Sequence, residues 1–193
     1  RACQIHTFKE DWRSDIASPL PFRSRFIAMI AVTLQGKDSG EILSLLDSGE
    51  VRMAEIRLDR CPLTEEEIEE VFSSTDVPTI ATCRRAECPD AEKRLLLAVS
   101  AGASFVDVET EAPRSSFRRI RSACDEFGTR LILSFHDFRG TPSPANLEEL
   151  LRSGLSSGAD IVKIVTTASS EADVGRLFSL YGKAPKGRLA AFT

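Results

Sequence analysis

A lysine and a histidine stand out by residue type and by setting. Lys163 lies in the run Gly158-Ala159-Asp160-Ile161-Val162-Lys163-Ile164-Val165, whose apolar members read as a buried strand. An ammonium in such a place must be paired or lose its proton. A lysine held neutral near pH 7 is a nucleophile able to form a Schiff base with a ketone. One repeat earlier, His136 stands near the end of Leu131-Ile132-Leu133-Ser134-Phe135-His136-Asp137-Phe138, which offers an acid-base group at the same stage of a second apolar strand. The pair predicts a catalytic cleft. Each residue has a structural alternative: Lys163 snorkelling from an edge strand, and His136 as a hydrogen-bonded core histidine.

The elements that must position these groups recur with a regular period. Strands are expected at Ala28–Leu34, Met53–Asp59, Thr79–Arg84, Ser104–Glu109, Arg130–Asp137, Asp160–Val165 and Gly187–Phe192, so their ends advance in steps of 25, 25, 25, 28, 28 and 27 residues. Amphipathic helices fill the gaps at Gly40–Ser48, Thr64–Ser73, Asp90–Ala101, Arg114–Phe127, Pro144–Ser153 and Ser169–Tyr181. Thr64 with Glu67 makes a capping box at the start of the second helix. Strict alternation of strand and helix argues a parallel sheet with right-handed crossovers.

Two α/β architectures satisfy that pattern, a (β/α)8 TIM barrel and an open doubly wound sheet. Polar residues at alternate strand positions decide between them: Glu55, Arg57 and Asp59; Thr82 and Arg84; Asp107 and Glu109; Ser134 and His136. In a barrel these side chains enter the lumen and gather at the C-terminal mouth, whereas an open sheet would disperse and strand them. The expectation is an incomplete barrel over 28–193, stopping after strand seven, behind an irregular lead-in over 1–27 that carries Pro19 and Pro21. A barrel of this kind usually has eight strands and roughly 250 residues. The chain opens on Arg1 rather than Met, which fits a processed or fragment end.

Bulk properties narrow the function classes. The 193 residues are 42% hydrophobic and 28% charged with a net charge of -4, so no basic footprint for nucleic acid is present. No apolar stretch approaches the roughly 20 residues of a membrane-spanning helix. Cys3, Cys61, Cys83, Cys88 and Cys124 are odd in number and lack metal-ligand spacing, which predicts reduced thiols and a cytoplasmic location. Cys83 alternates with Arg84 and is expected to face the helices. No phosphate-cradling glycine motif supports nucleotide binding.

The ordered set Glu55-x-Arg57-x-Asp59, Thr82-Cys83-Arg84, Ser134-Phe135-His136-Asp137-Phe138 with Thr141-Pro142, and Ala159-Asp160-Ile161-Val162-Lys163-Ile164 resembles the type I 3-dehydroquinate dehydratase family over roughly residues 28–193. The resemblance implies a shikimate-pathway lyase acting on 3-dehydroquinate, without metal or organic cofactor. It casts Lys163 as the imine-forming nucleophile, His136 as general base and then acid, and Glu55, Arg57 and Arg84 as substrate-binding residues. It assigns no chemical step to Asp59 or Asp107, which are expected to serve as structural ion partners, and leaves Glu109 open between packing and site. A homodimer and a fused shikimate dehydrogenase domain are both compatible with it, and no nucleic-acid or membrane partner is implied.

The chain departs from the family pattern in two places. The family glutamate that orients the histidine falls on Cys88, so Glu87 is the candidate for that task. The family's further carboxylate-binding arginine after strand seven and its lid loop after strand eight have no counterpart in these residues. Rival readings are another Schiff-base barrel of the class I aldolase kind, and a non-catalytic barrel fragment of a larger fusion.

Overall fold

The computed structural model describes residues 5–9 and 28–193. One sheet runs through the molecule in the order β1 to β8. The strands are β1 (Ile5–Lys9), β2 (Ala28–Leu34), β3 (Ala54–Arg57), β4 (Thr79–Thr82), β5 (Phe105–Glu109), β6 (Arg130–Asp137), β7 (Ile161–Thr166) and β8 (Leu189–Phe192). From β2 onward the neighbours are parallel and consecutive, each pair bridged by a helix. The helices are α1 (Ser39–Asp47), α2 (Glu65–Ser73), α3 (Ala91–Ser100), α4 (Arg114–Phe127), α5 (Pro144–Ser156) and α6 (Glu171–Phe178), the last continuing into a 3-10 turn at Ser179–Gly182.

Local chemistry accounts for the boundaries. Asp38 and Thr64 both form full capping boxes, their side chains accepting from the backbone N–H of Glu41 and Glu67 while those glutamates reach back to the cap. Ser143 caps α5 ahead of Pro144, whose missing N–H falls where a helix needs none. Gly128 ends α4 in the left-handed conformation, with φ of 76°, which a side chain would resist. The strand expected over Met53–Asp59 is shorter, Ala54–Arg57, because Leu58 and Asp59 turn into the loop that carries Arg60 to α2. The helix expected over Ser169–Tyr181 stops at Phe178, where the backbone tightens into the 3-10 turn.

The lead-in departs from its expected irregularity. Ile5–Lys9 forms a strand antiparallel to β2, with Ile5 opposite Val32 and Lys9 opposite Ala28, and it also approaches β8. Five residues of mixed polarity give too weak an alternation to be read as a strand; the free edge of β2 supplies the hydrogen bonds that make it one. The rest of the lead-in, with Trp12, Pro19 and Pro21, lies outside the described residues.

The sheet is rolled. β3 and β7 have three strands between them, which in a flat sheet would put them about 19 Å apart. Yet Lys163 Nζ on β7 lies 3.5 Å from Glu55 Oε1 on β3. Curling divides the interior in two. Outside, α1 to α6 lay Ile42, Ile68, Leu95, Ile120, Leu147 and Leu177 against outward strand residues such as Ile56, Val106, Leu133 and Ile164. Each such side chain, fully buried, contributes about 1.5–3 kcal/mol. Inside, Ala31, Met53, Ile80, Phe105, Ile132, Ile161 and Ala190 close an apolar floor.

Gly154 on α5 faces Val162 on β7 at close range. A methyl group there would lie 2.7 Å from Val162 Cγ2, and a β-branched side chain on a strand has little freedom to move aside. Glycine to alanine inside a helix ordinarily stabilises by about 1 kcal/mol. Gly154→Ala is expected instead to destabilise by about 1–3 kcal/mol through overpacking, read as a lower urea midpoint.

Candidate active site

The polar residues of the lumen lie in tiers fixed by the strand period of two. Two positions beyond the floor residues Met53, Ile80, Phe105, Ile132 and Ile161 come Glu55, Thr82, Asp107, Ser134 and Lys163. Thr33 occupies the same tier on β2, two positions beyond Ala31. Two positions further stand Arg57, Arg84, Glu109 and His136, at the C-terminal ends of their strands. The structure therefore brings together the lysine, the histidine and the acidic and basic residues that the sequence placed on one face.

Lys163 is buried among apolar neighbours, and its ammonium is met by two carboxylates. Nζ donates to Asp107 Oδ2 at 3.0 Å and to Glu55 Oε1 at 3.5 Å. Glu55 is steadied by the hydroxyls of Thr33 and Thr82, which donate to it at 2.8 Å and 2.9 Å. Burial depresses the lysine's proton affinity, but Asp107 and Glu55 together outweigh that loss and raise its pKa above the ordinary value. Of the two alternatives for a buried ammonium, pairing or loss of the proton, the geometry favours pairing. The nearby Arg84 guanidinium acts in the opposite sense without prevailing.

Asp107 is the residue whose importance was understated in the sequence. Wholly buried, it binds Lys163 through Oδ2, while Oδ1 accepts from Arg84 Nη1 at 3.0 Å and from Ser134 Oγ at 2.6 Å. Burial alone would raise its pKa, yet Lys163 and Arg84 hold it at about 2. Its place two residues after a floor residue on β5, one strand from Ser134, is the signal that marks it as central.

His136 is half-buried at the upper tier. Arg84 Nη2 lies 3.5 Å from its Nε2, and the ring of Phe138, itself 74% exposed, stacks over it with 6.0 Å between centroids. Burial first, then the positive charges of Arg84 and Lys163, pull its pKa down to about 4, so the imidazole is neutral at physiological pH. Glu109 lies 3.6 Å from Arg84, and burial moves its pKa up.

Two of the expected site residues face other partners. Arg57 forms a two-point pair with buried Asp59, at 3.0 Å and 2.5 Å, so Asp59 has the structural part assigned to it. Glu87, the candidate to orient His136, is turned elsewhere: it accepts from Nε and Nη2 of Arg60, each at 2.8 Å, and lies 3.6 Å from Arg57. The reason is local, since the turn from Arg84 to Cys88 points Glu87 toward the β3–α2 loop that carries Arg60. Cys61, Cys83, Cys88 and Cys124 are free thiols, and Cys83 is buried on the helix side as expected.

Two measurements test this charge arrangement. Asp107→Asn leaves two buried cations short of one charge and should lower stability by about 3–5 kcal/mol in urea unfolding. Histidine in the unfolded chain binds its proton near pH 6.5, whereas folded His136 does so at about 4. Between those values the unfolded state holds more protons, so stability should fall as the pH is lowered through that window. The melting temperature of His136→Gln should depend less on pH across the same range.

Comparison with known proteins agrees with this geometry. The family model for type I 3-dehydroquinase matches residues 30–189. A 3-dehydroquinate dehydratase of Desulfotalea psychrophila is 36% identical over 140 residues, covering 68% of this chain and 61% of the relative, so the chain spans about six-tenths of that relative's length. The bifunctional chloroplastic 3-dehydroquinate dehydratase/shikimate dehydrogenase of Arabidopsis thaliana is 35% identical over 68% of this chain and 23% of its own, so fusion of the two occurs among relatives. The crystal structure of the 3-dehydroquinate dehydratase from Aquifex aeolicus superposes with a TM-score of 0.69 and 27% identity, over 83% of this chain and 77% of the other. With the barrel wall, the tiered lumen and the family match all in agreement, the chain belongs to the type I 3-dehydroquinase family.

Proposed function

We propose that this chain dehydrates 3-dehydroquinate to 3-dehydroshikimate through a Schiff base on Lys163, with His136 as the proton-transfer group. The observation that carries the reading is the setting of Lys163: a buried ammonium held between Asp107 and Glu55, below a neutral imidazole at the barrel mouth. A cation cradle of this kind serves an iminium as well as an ammonium. Asp107 and Glu55 stabilise the positive charge before the reaction, and the same carboxylates stabilise it after the ketone has condensed with Nζ.

The steps balance on the residues at hand. Lys163 first passes a proton to one of the two carboxylates it touches, Asp107 or Glu55. The free amine adds to the ketone carbon to give a carbinolamine. The carboxyl group returns its proton to the carbinolamine oxygen, and that oxygen leaves as water, giving an iminium between the two carboxylates. That cation draws electrons from the adjacent carbon, and His136 takes a proton there to give an enamine. As the enamine collapses, the protonated His136 returns a proton to the departing hydroxyl, which leaves as water. Hydrolysis of the conjugated iminium then restores the lysine and releases the enone. The closeness of Arg84 Nη2 to His136 supports a role for this arginine in holding the substrate's polar groups beside the histidine.

Borohydride reduction in the presence of 3-dehydroquinate should attach the substrate's mass to Lys163, found by peptide mass spectrometry, while sugar phosphates leave it unlabelled. Labelling by sugar phosphates alone would favour an aldolase-like reading. Lys163→Ala should lose both labelling and turnover, the latter by roughly a thousand-fold or more. Unchanged turnover in that variant would end the Schiff-base proposal.

A further inference from the structure

Two thiols meet on the outer side of the strand that leads to Arg84. Cys83 follows β4 and is buried against the helices, while Cys88 stands half-buried at the end of the turn that leads to α3. The turn brings them together. The backbone N–H groups of Glu87 and Cys88 both donate to the carbonyl of Arg84 at 3.0 Å, so the chain folds back within one turn and returns Cys88 to its start. There the S–H of Cys83 donates to the sulfur of Cys88. Cys61, by contrast, is turned to the carbonyl of Leu34 at 3.7 Å.

The two sulfurs differ in a way that suits stepwise oxidation. Cys88 is the more accessible, and Cys83 lies behind it in the core. Burial first, and then Cys88, push the Cys83 thiol far above its ordinary range, so it keeps its proton. Arg94 on α3 is the cation that acts on Cys83: its Nη2 donates to the carbonyl of Leu63 at 3.0 Å, while its Nε is buried with no acceptor among the described residues. A guanidinium near sulfur favours the thiolate, the form that attacks an oxidant, and Asp59 acts in the opposite sense. An accessible thiol backed by a second one is the arrangement of a redox-sensing pair.

We propose that Cys83 and Cys88 are a reversible redox pair, and that their oxidation to a disulfide by a hydroperoxide pulls Arg84 away from Asp107. The Cys88 sulfur attacks one peroxide oxygen and the O–O bond breaks. The other oxygen leaves with the thiol's proton as water or an alcohol, which gives a sulfenic acid on Cys88. The Cys83 sulfur then attacks the Cys88 sulfur, and the hydroxyl departs with the Cys83 proton as water. Two electrons have passed from the thiols to the peroxide, and a dithiol reverses the change. The new bond is about 2.05 Å long, shorter than any contact between two thiols, so the sulfurs must close up. Cys83 is fixed by the core, so the turn moves toward it. Arg84 lies inside the ring closed over residues 83–88, and its hold on Asp107 Oδ1 at 3.0 Å and Ser134 Oγ at 3.1 Å yields.

The test treats the whole chain with hydrogen peroxide, blocks the remaining thiols and digests it with trypsin unreduced. Cleavage at Arg84 and Arg85 separates the two cysteines, so a bond between them joins residues 61–84 to 86–93, lighter by two hydrogen atoms than the pair apart. Dithiothreitol should part the pieces. Cys83→Ala and Cys88→Ser should each abolish the joined species, and Cys61→Ser should keep it; if the buried alanine variant does not fold, Cys88→Ser decides. Because Arg84 lowers the pKa of His136, oxidation should raise the imidazole midpoint, followed by NMR, by about half a pH unit or more. Dehydratase turnover should fall about tenfold or more and return on reduction; this last readout alone rests on the function proposed above, so an inactive chain leaves the other two to decide. No joined species, a species that needs Cys61, one found only in covalent dimers, or a bond that leaves the His136 midpoint unmoved would each overturn the proposal.

Discussion

The buried carboxylate of Asp107 is the contact on which the rest of the lumen depends. It binds Lys163 with one oxygen and Arg84 with the other, while Ser134 donates to it as well. Two cations brought into a space with an apolar floor would repel each other and lose their hydration. One carboxylate between them, backed by Glu55 in the same tier as the lysine, turns that repulsion into a chain of attractions. The chain runs from β3 through β5 to β7 and reaches β4 through Arg84, so it also records how far the sheet has curled.

The mouth is nearly self-neutralised before any ligand arrives. Arg57 is matched by Asp59, Arg84 by Asp107 and Glu109, and Lys163 by Asp107 and Glu55. Such a site does not attract anions by net charge. It offers exchange instead: an incoming carboxylate must replace an existing acceptor at a guanidinium, and discrimination then rests on geometry rather than on long-range attraction. The neutral imidazole fits this balance, because burial and the positive charges of Arg84 and Lys163 outweigh the pull of Asp107 and Glu111 on its proton.

Much of this was legible in the sequence, and the parts that were not share a physical cause. The β/α period, both strands that carry the reactive residues, the Thr64 capping box and the inward alternation of Glu55, Arg57, Arg84 and His136 all follow from local pattern, and local pattern survives folding. The charge state of Lys163 did not, since it is set by Asp107 and Glu55, 56 and 108 residues away, at distances no periodicity reports. Asp107 was underrated for the same reason. Glu87 had the right chemistry for His136 but lies on a turn aimed at Arg60. The β1 strand escaped notice because its conformation comes from the edge of β2 and hardly at all from its own residues.

Val162 and Lys163 are consecutive on β7, so one points to the helices and the other to the lumen. Gly154 on α5 lets the helix settle directly onto Val162, with no side chain between them. The radial position of the lysine is therefore set from behind, by how closely a surface helix approaches the strand. Any change that pushes α5 outward or inward would move the reactive nitrogen along the barrel's radius without altering a single group that faces it. The outer shell is thus a focusing screw for the nucleophile, reachable from a side that no ligand in the lumen ever meets.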